Sequence, residues 1–115
     1  MPSQTQVDSG YPVLPFHVND VGQDSLFSIT VADGADVLLS GTVMGKITAS
    51  GKYTAYDDGN SDGTEDAAGI LLNRVDPTNG DELGSLMVMG VVRTGSLYGL
   101  DAAAMTDLAA HFIFV

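Results

Sequence analysis

Short apolar runs separated by turn residues fill the chain from residue 26 onward, and their period is that of β-strands until close to the end. Leu26 to Val31 (LFSITV) predicts a short strand. Val37 to Leu39 leads through Ser40-Gly41 into a predicted strand from Thr42 to Thr48 (TVMGKIT). Ala49-Ser50-Gly51 is a turn signal, and Lys52 to Tyr56 continues as the partner, which makes a hairpin with a three-residue loop. Residues 57 to 67 (DDGNSDGTEDA) form an acidic loop, and Ala68 to Val75 (AGILLNRV) returns as a buried strand. Asp76-Pro77 and Asn79-Gly80 mark the next turn. Ser85 to Arg93 (SLMVMGVVR) is the most apolar strand, and Ile70, Leu71 and Val88 are the expected centre of the core.

The period changes once. Asp101 is a good N-cap for Ala102-Ala103-Ala104-Met105, and Leu100, Met105, Leu108 and Phe112 fall at roughly helical spacing, with Asp107 on the other face. His111 ends this helix, and Phe112 to Val115 reads as a terminal strand. Residues 1–24 differ from the rest. Pro2, Pro12 and Pro15 remove amide donors and bias their predecessors toward extended geometry, and the apolar residues Val7, Tyr11, Val13, Leu14, Phe16 and Val18 are isolated. This predicts an extended arm with little core of its own. The expected fold is therefore mixed but mainly β: a small domain of short strands with one short C-terminal helix and an extended N-terminal arm.

Composition narrows the function. At 115 residues, 44% of them hydrophobic and 17% charged, the chain reads as one globular domain. Fifteen Asp and Glu face only Lys46, Lys52, Arg74 and Arg93, a formal net charge of −11. Such a chain is repelled by nucleic acid and by anionic lipid, and stays soluble at high concentration, as suits a structural protein made in many copies. There is no cysteine, so neither disulfides nor thiolate chemistry enter. The first residues carry no basic region or long apolar run of the kind a signal peptide needs, and no apolar stretch approaches the ~20 residues of a membrane span. A soluble protein made in a cytoplasm is expected.

Candidate chemistry is sparse. Asp58, Asn60, Asp62 and Gly63 match the opening of a calcium loop, D-x-N-x-D-G. The bidentate Glu that such a loop needs at its twelfth position is replaced by Gly69, and the flanks are strands rather than helices. A turn whose Asp and Asn side chains bond their own backbone is the expected reading. His17 and His111 are the only imidazoles, too few for a zinc site without carboxylate help, and there is no G-x-S-x-G nucleophile elbow or phosphate-binding glycine motif. Met87 and Met89 alternate with Leu86 and Val88, which points to core or interface packing. No catalytic residue, cofactor or metal is expected.

The ordered set of strands and turns resembles the lambda-type bacteriophage head decoration proteins. The elements that carry the resemblance are Gly41-Thr42-Val43-Met44-Gly45-Lys46-Ile47-Thr48, Tyr53 to Asp57, Ser61-Asp62-Gly63, Ala68-Gly69-Ile70-Leu71, and the closing strand Val88-Met89-Gly90-Val91 before the small helix. Glu65-Asp66 is an acidic insertion beside the third of these. The resemblance implies a non-enzymatic protein that binds the outside of the expanded head as a homotrimer and cements it. It implies residues 1–24 as a capsid-binding arm and 25–115 as the decoration domain. The arm would add a strand to the sheet edge of the major capsid protein, with Tyr11, Val13, Leu14, Phe16 and Val18 as the contacting side chains. Direct contact with nucleic acid or membrane is not expected. A tail-tube or adhesion module, or an acidic calcium-dependent binding module resting on residues 58–63, remain the alternatives.

Overall fold

The structure is a computed structural model and describes residues 26–34 and 36–115. The expected arm, residues 1–24, lies outside the described residues. The described chain is mainly β. Its elements are β1 (Leu26–Val31), β2 (Val43–Lys46), β3 (Tyr53–Ala55), β4 (Ala67–Leu71), β5 (Glu82–Met87), β6 (Gly90–Val92), a 3-10 turn (Thr94–Ser96), α1 (Ala102–Leu108) and β7 (Phe112–Phe114). The first five strands close into a barrel in the order β1-β3-β2-β4-β5, and β6 and β7 form a separate parallel pair. No helix among the described residues is long and apolar enough to cross a membrane.

Alternation along the barrel strands divides the apolar residues into two clusters. Ile29, Val31, Met44, Leu71 and Leu86 point into the barrel with Val75. Their neighbours one position away, Val43, Ile70 and Met87, point outward and are covered by Val92, Ala104, Leu108 and Phe112 from β6, α1 and β7. Strands buried on both faces read as continuous apolar runs rather than alternating ones. This is why Gly69-Ile70-Leu71 and Leu86-Met87 are apolar without alternation. Gly84 belongs to the interior: a Cβ there would lie 3.2–3.3 Å from Val31, Val75 and Leu71 atoms, so the absent side chain leaves room for the three branched ones.

The predicted hairpin forms. Met44 faces Ala55, Gly45 faces Thr54 and Lys46 faces Tyr53, and Gly51 turns the chain with φ +75°. Both strands are shorter than expected: beyond Lys46 the Ile47 amide still donates to the Lys52 carbonyl (2.7 Å), but the Thr48 amide donates to the Asp62 carbonyl of the acidic loop (2.9 Å). The predicted strand Ala68 to Val75 also shortens to β4, and Val75 instead bridges Leu38 in an isolated antiparallel pair.

Two expectations are corrected. The single strand Ser85 to Arg93 is two strands in two sheets. The chain leaves the barrel after Met87 and re-enters extended structure at Gly90, whose φ of +150° is open chiefly to glycine. Val88, placed on this connection, is consequently half-buried rather than central, whereas Ile70 and Leu71 are fully buried as expected. The helix ends at Leu108 and not His111, and Met105 is exposed while Ala104 faces the core. Alanine carries no periodic signal, so the helical spacing points to the larger residue beside it.

Candidate functional site

The arm residues singled out from the sequence, Tyr11, Val13, Leu14, Phe16 and Val18, lie outside the described residues, so the structure neither gathers nor separates them. It does describe the strand that they lead into. β1 pairs antiparallel with β5 along its whole length, from Leu26 opposite Met87 to Val31 opposite Glu82. Its other edge meets β3 only where Val31 lies beside Tyr53, with the Ala32 amide donating to the Tyr53 carbonyl at 2.8 Å. The chain thus enters the barrel along its least-paired seam, and Phe27 near that entry is 54% exposed.

The acidic loop, residues 57–66, is built rather than loose. The Asp57 carboxylate accepts from the Gly59 amide (2.9 Å), and the Asp62 carboxylate accepts from the amide and the hydroxyl of Thr64. Asn60 donates its side-chain amide to the Thr64 hydroxyl at 2.8 Å. Thr64 itself is fully buried, and its backbone packs so tightly on β2 that a Cβ at Gly45 would come within 2.6 Å of the Thr64 Cα. Gly63, at φ +109°, is equally confined by Lys46 and Thr48. Asn60 and Asp62 of the calcium-like pattern are therefore committed to Thr64. The two hydrogen bonds from Thr64 hold the Asp62 carboxyl below its usual range, and Asp76 is lowered in the same way by Thr78. Among the described residues, no three His, Cys, Asp or Glu side chains are grouped as a metal ion would need.

A second polar focus ties α1 to the barrel. Asp101 caps the helix by accepting from the Ala104 amide (2.8 Å) and also accepts from the Tyr56 hydroxyl (2.9 Å). Asp107 accepts from the Ala67 amide at the start of β4 (2.9 Å). Burial, and then the Asp101 carboxylate with Asp58 and Asp107 nearby, pushes the Tyr56 hydroxyl well above its ordinary pKa. Each of these contacts holds the fold together, and none leaves a nucleophile beside a base. Lys52 pairs with Asp81, which also accepts from the Asp33 amide, and the lysine holds that carboxyl below its usual range.

The exposed large apolar residues are what sequence reading misses. Of the two methionines expected in core or interface, Met87 is buried and Met89 is 44% exposed. Ile113 and Val115, in the last strand and just after it, are exposed as well. The alternation of HFIFV contains this signal, since only every second residue of a two-stranded sheet packed on one side can face the core.

A comparison with curated proteins finds no matching relative. The family model for the bacteriophage lambda head decoration protein D matches residues 15–113. That span takes in the whole of the barrel, the helix and the first two residues of the last strand. The chain belongs to the bacteriophage lambda head decoration protein D family, structural proteins of the capsid surface rather than enzymes.

Proposed function

We propose that this protein binds the outside of the expanded phage head as a homotrimer and stabilises it, with the segment before β1 as its main attachment to the major capsid protein. The family match over residues 15–113 carries the reading, since it extends past the barrel into that segment and includes Phe16 and Val18. The geometry agrees with it. A barrel with a committed acidic loop, and with no catalytic group assembled among the described residues, is a rigid body to be carried, and the chain enters it at the half-buried Leu26 beside the exposed Phe27. A proline-spaced segment can add to a sheet edge through its backbone while Tyr11, Val13, Leu14, Phe16 and Val18 supply apolar contacts. Three such segments on one trimer multiply individually weak attachments, which is what resisting the pressure of packaged DNA requires.

Deleting residues 1–20 tests the reading. The truncated protein should keep the melting temperature of the full chain, because the prolines and isolated apolar residues of that segment suit it poorly to a core. It should no longer raise the temperature at which expanded heads rupture. Undiminished protection by the truncated protein would move attachment to the barrel, and unfolding of the truncated protein would make the segment part of the core.

A further inference from the structure

The turn between β4 and β5 carries Asn79-Gly80, the one place in the chain where glycine follows asparagine. The pair suits a tight turn, but it also brings together two groups that react. The glycine nitrogen has no side chain to shield it, and it reaches the asparagine side-chain carbonyl in a five-membered ring. Asparagine counts among the thermolabile residues.

What holds the two groups decides whether they meet. The Asn79 side chain is exposed and makes no hydrogen bond among the described residues. The Gly80 amide has only a long bond to the Pro77 carbonyl, 3.3 Å, and nothing stands within 4 Å of where its Cβ would be. The comparable sites are tied down. Asn60 donates its side-chain amide to the Thr64 hydroxyl (2.8 Å), and the Asn73 side-chain oxygen accepts from the Ser85 amide (3.0 Å). The glycine amides that follow Asp58 and Asp62 donate to the Asp57 and Glu65 carboxylates, at 2.9 and 2.8 Å. Asn19 lies outside the described residues and precedes an aspartate.

We propose that Asn79 is a site of self-modification. The Gly80 nitrogen gives its proton to hydroxide and attacks the Asn79 side-chain carbonyl carbon. A new C–N bond closes the ring, the bond to the side-chain nitrogen breaks, and that nitrogen takes a proton from water and leaves as ammonia. Water then opens the cyclic imide at either carbonyl. One opening gives aspartate, and the other gives isoaspartate, whose main chain is one carbon longer. Both add a negative charge to a corner that already holds Asp76, Asp81 and Glu82. The longer chain also displaces Asp81, which pairs with Lys52 and accepts from the Asp33 amide, and Pro77, whose carbonyl accepts from the Gly34 amide. These bonds tie the end of β1 and the β2–β3 hairpin to the start of β5, so the corner loosens as the protein ages.

Ageing the full-length protein at pH 8.5 tests this. Trypsin cuts after Lys46, Lys52, Arg74 and Arg93, so Asn79 alone of the four asparagines falls on the peptide 75–93. That peptide should convert to the acid form, with isoaspartate exceeding aspartate, before the peptides that carry Asn19, Asn60 and Asn73. An Asn79→Ser variant should keep its charge on ion exchange over the time in which half of the wild type turns more acidic. The aged, acidic fraction should melt below fresh protein and below Asn79→Asp, which gains the charge without the extra carbon. Earlier conversion at another asparagine would overturn the site, as would a peptide 75–93 that stays unchanged in the folded protein while the same peptide free in solution converts. Equal melting of the aged fraction and Asn79→Asp would overturn the loosening of the corner.

Discussion

Two residues show how little freedom the polar parts of this molecule have. Gly45 is glycine because the Thr64 backbone occupies the place of its side chain, and Tyr56 is tyrosine because its hydroxyl reaches Asp101 from a buried ring. The second has a pH consequence. Folding raises the Tyr56 pKa above its ordinary value, so the unfolded chain loses this proton first as pH rises. The stability contributed by the protonated hydroxyl is complete below the unfolded pKa of about 10 and declines above it. Denaturant melts at pH 8 and pH 11 should show the wild type losing more stability than Tyr56→Phe over that interval. Equal losses would mean that the hydroxyl is not held by Asp101. Neither role is legible in the sequence, because a close approach between segments far apart along the chain leaves no local pattern.

At the scale of elements, legibility follows the reach of the signal. LFSITV marks β1 with its observed ends, and the Gly51 turn marks the β2–β3 hairpin, because both depend on neighbouring residues. Asp101 is recognisable as a cap from its own chemistry, and it accepts the Ala104 amide as a cap should. The break between β5 and β6 is hidden because SLMVMGVVR is apolar nearly throughout, and apolarity does not say which of two clusters a residue joins. The acidic loop is legible as bonding its own backbone, but not as a packed element with Thr64 buried inside it. Removing apolar volume and removing one loop bond should accordingly differ in cost. Leu71→Ala, in the barrel interior, should cost about 2–5 kcal/mol, and Asn60→Ala, which forfeits one bond to Thr64, about 0.5–1.5 kcal/mol. Chemical denaturation of both variants checks the order. A Leu71→Ala as mild as Asn60→Ala would show that the barrel interior is not packed as described.

On the scale of the whole molecule, the described barrel is closed and packed on both faces, and the proposed function leaves attachment to the segment before it. That division explains why the family is legible in the sequence while its contacts are not. The glycine and turn positions that shape the barrel recur in order along the chain, whereas an attachment segment acts through backbone pairing that many side chains satisfy. The proposed function ties attachment to the expanded head, so attachment should depend on the state of the shell. Co-sedimentation of the full-length protein with expanded and with unexpanded heads, at equal head concentrations, measures this directly. The account predicts saturable binding to expanded heads and at least tenfold weaker binding to unexpanded ones, a difference of about 1.4 kcal/mol or more. Equal binding to both, or binding to neither, would contradict it.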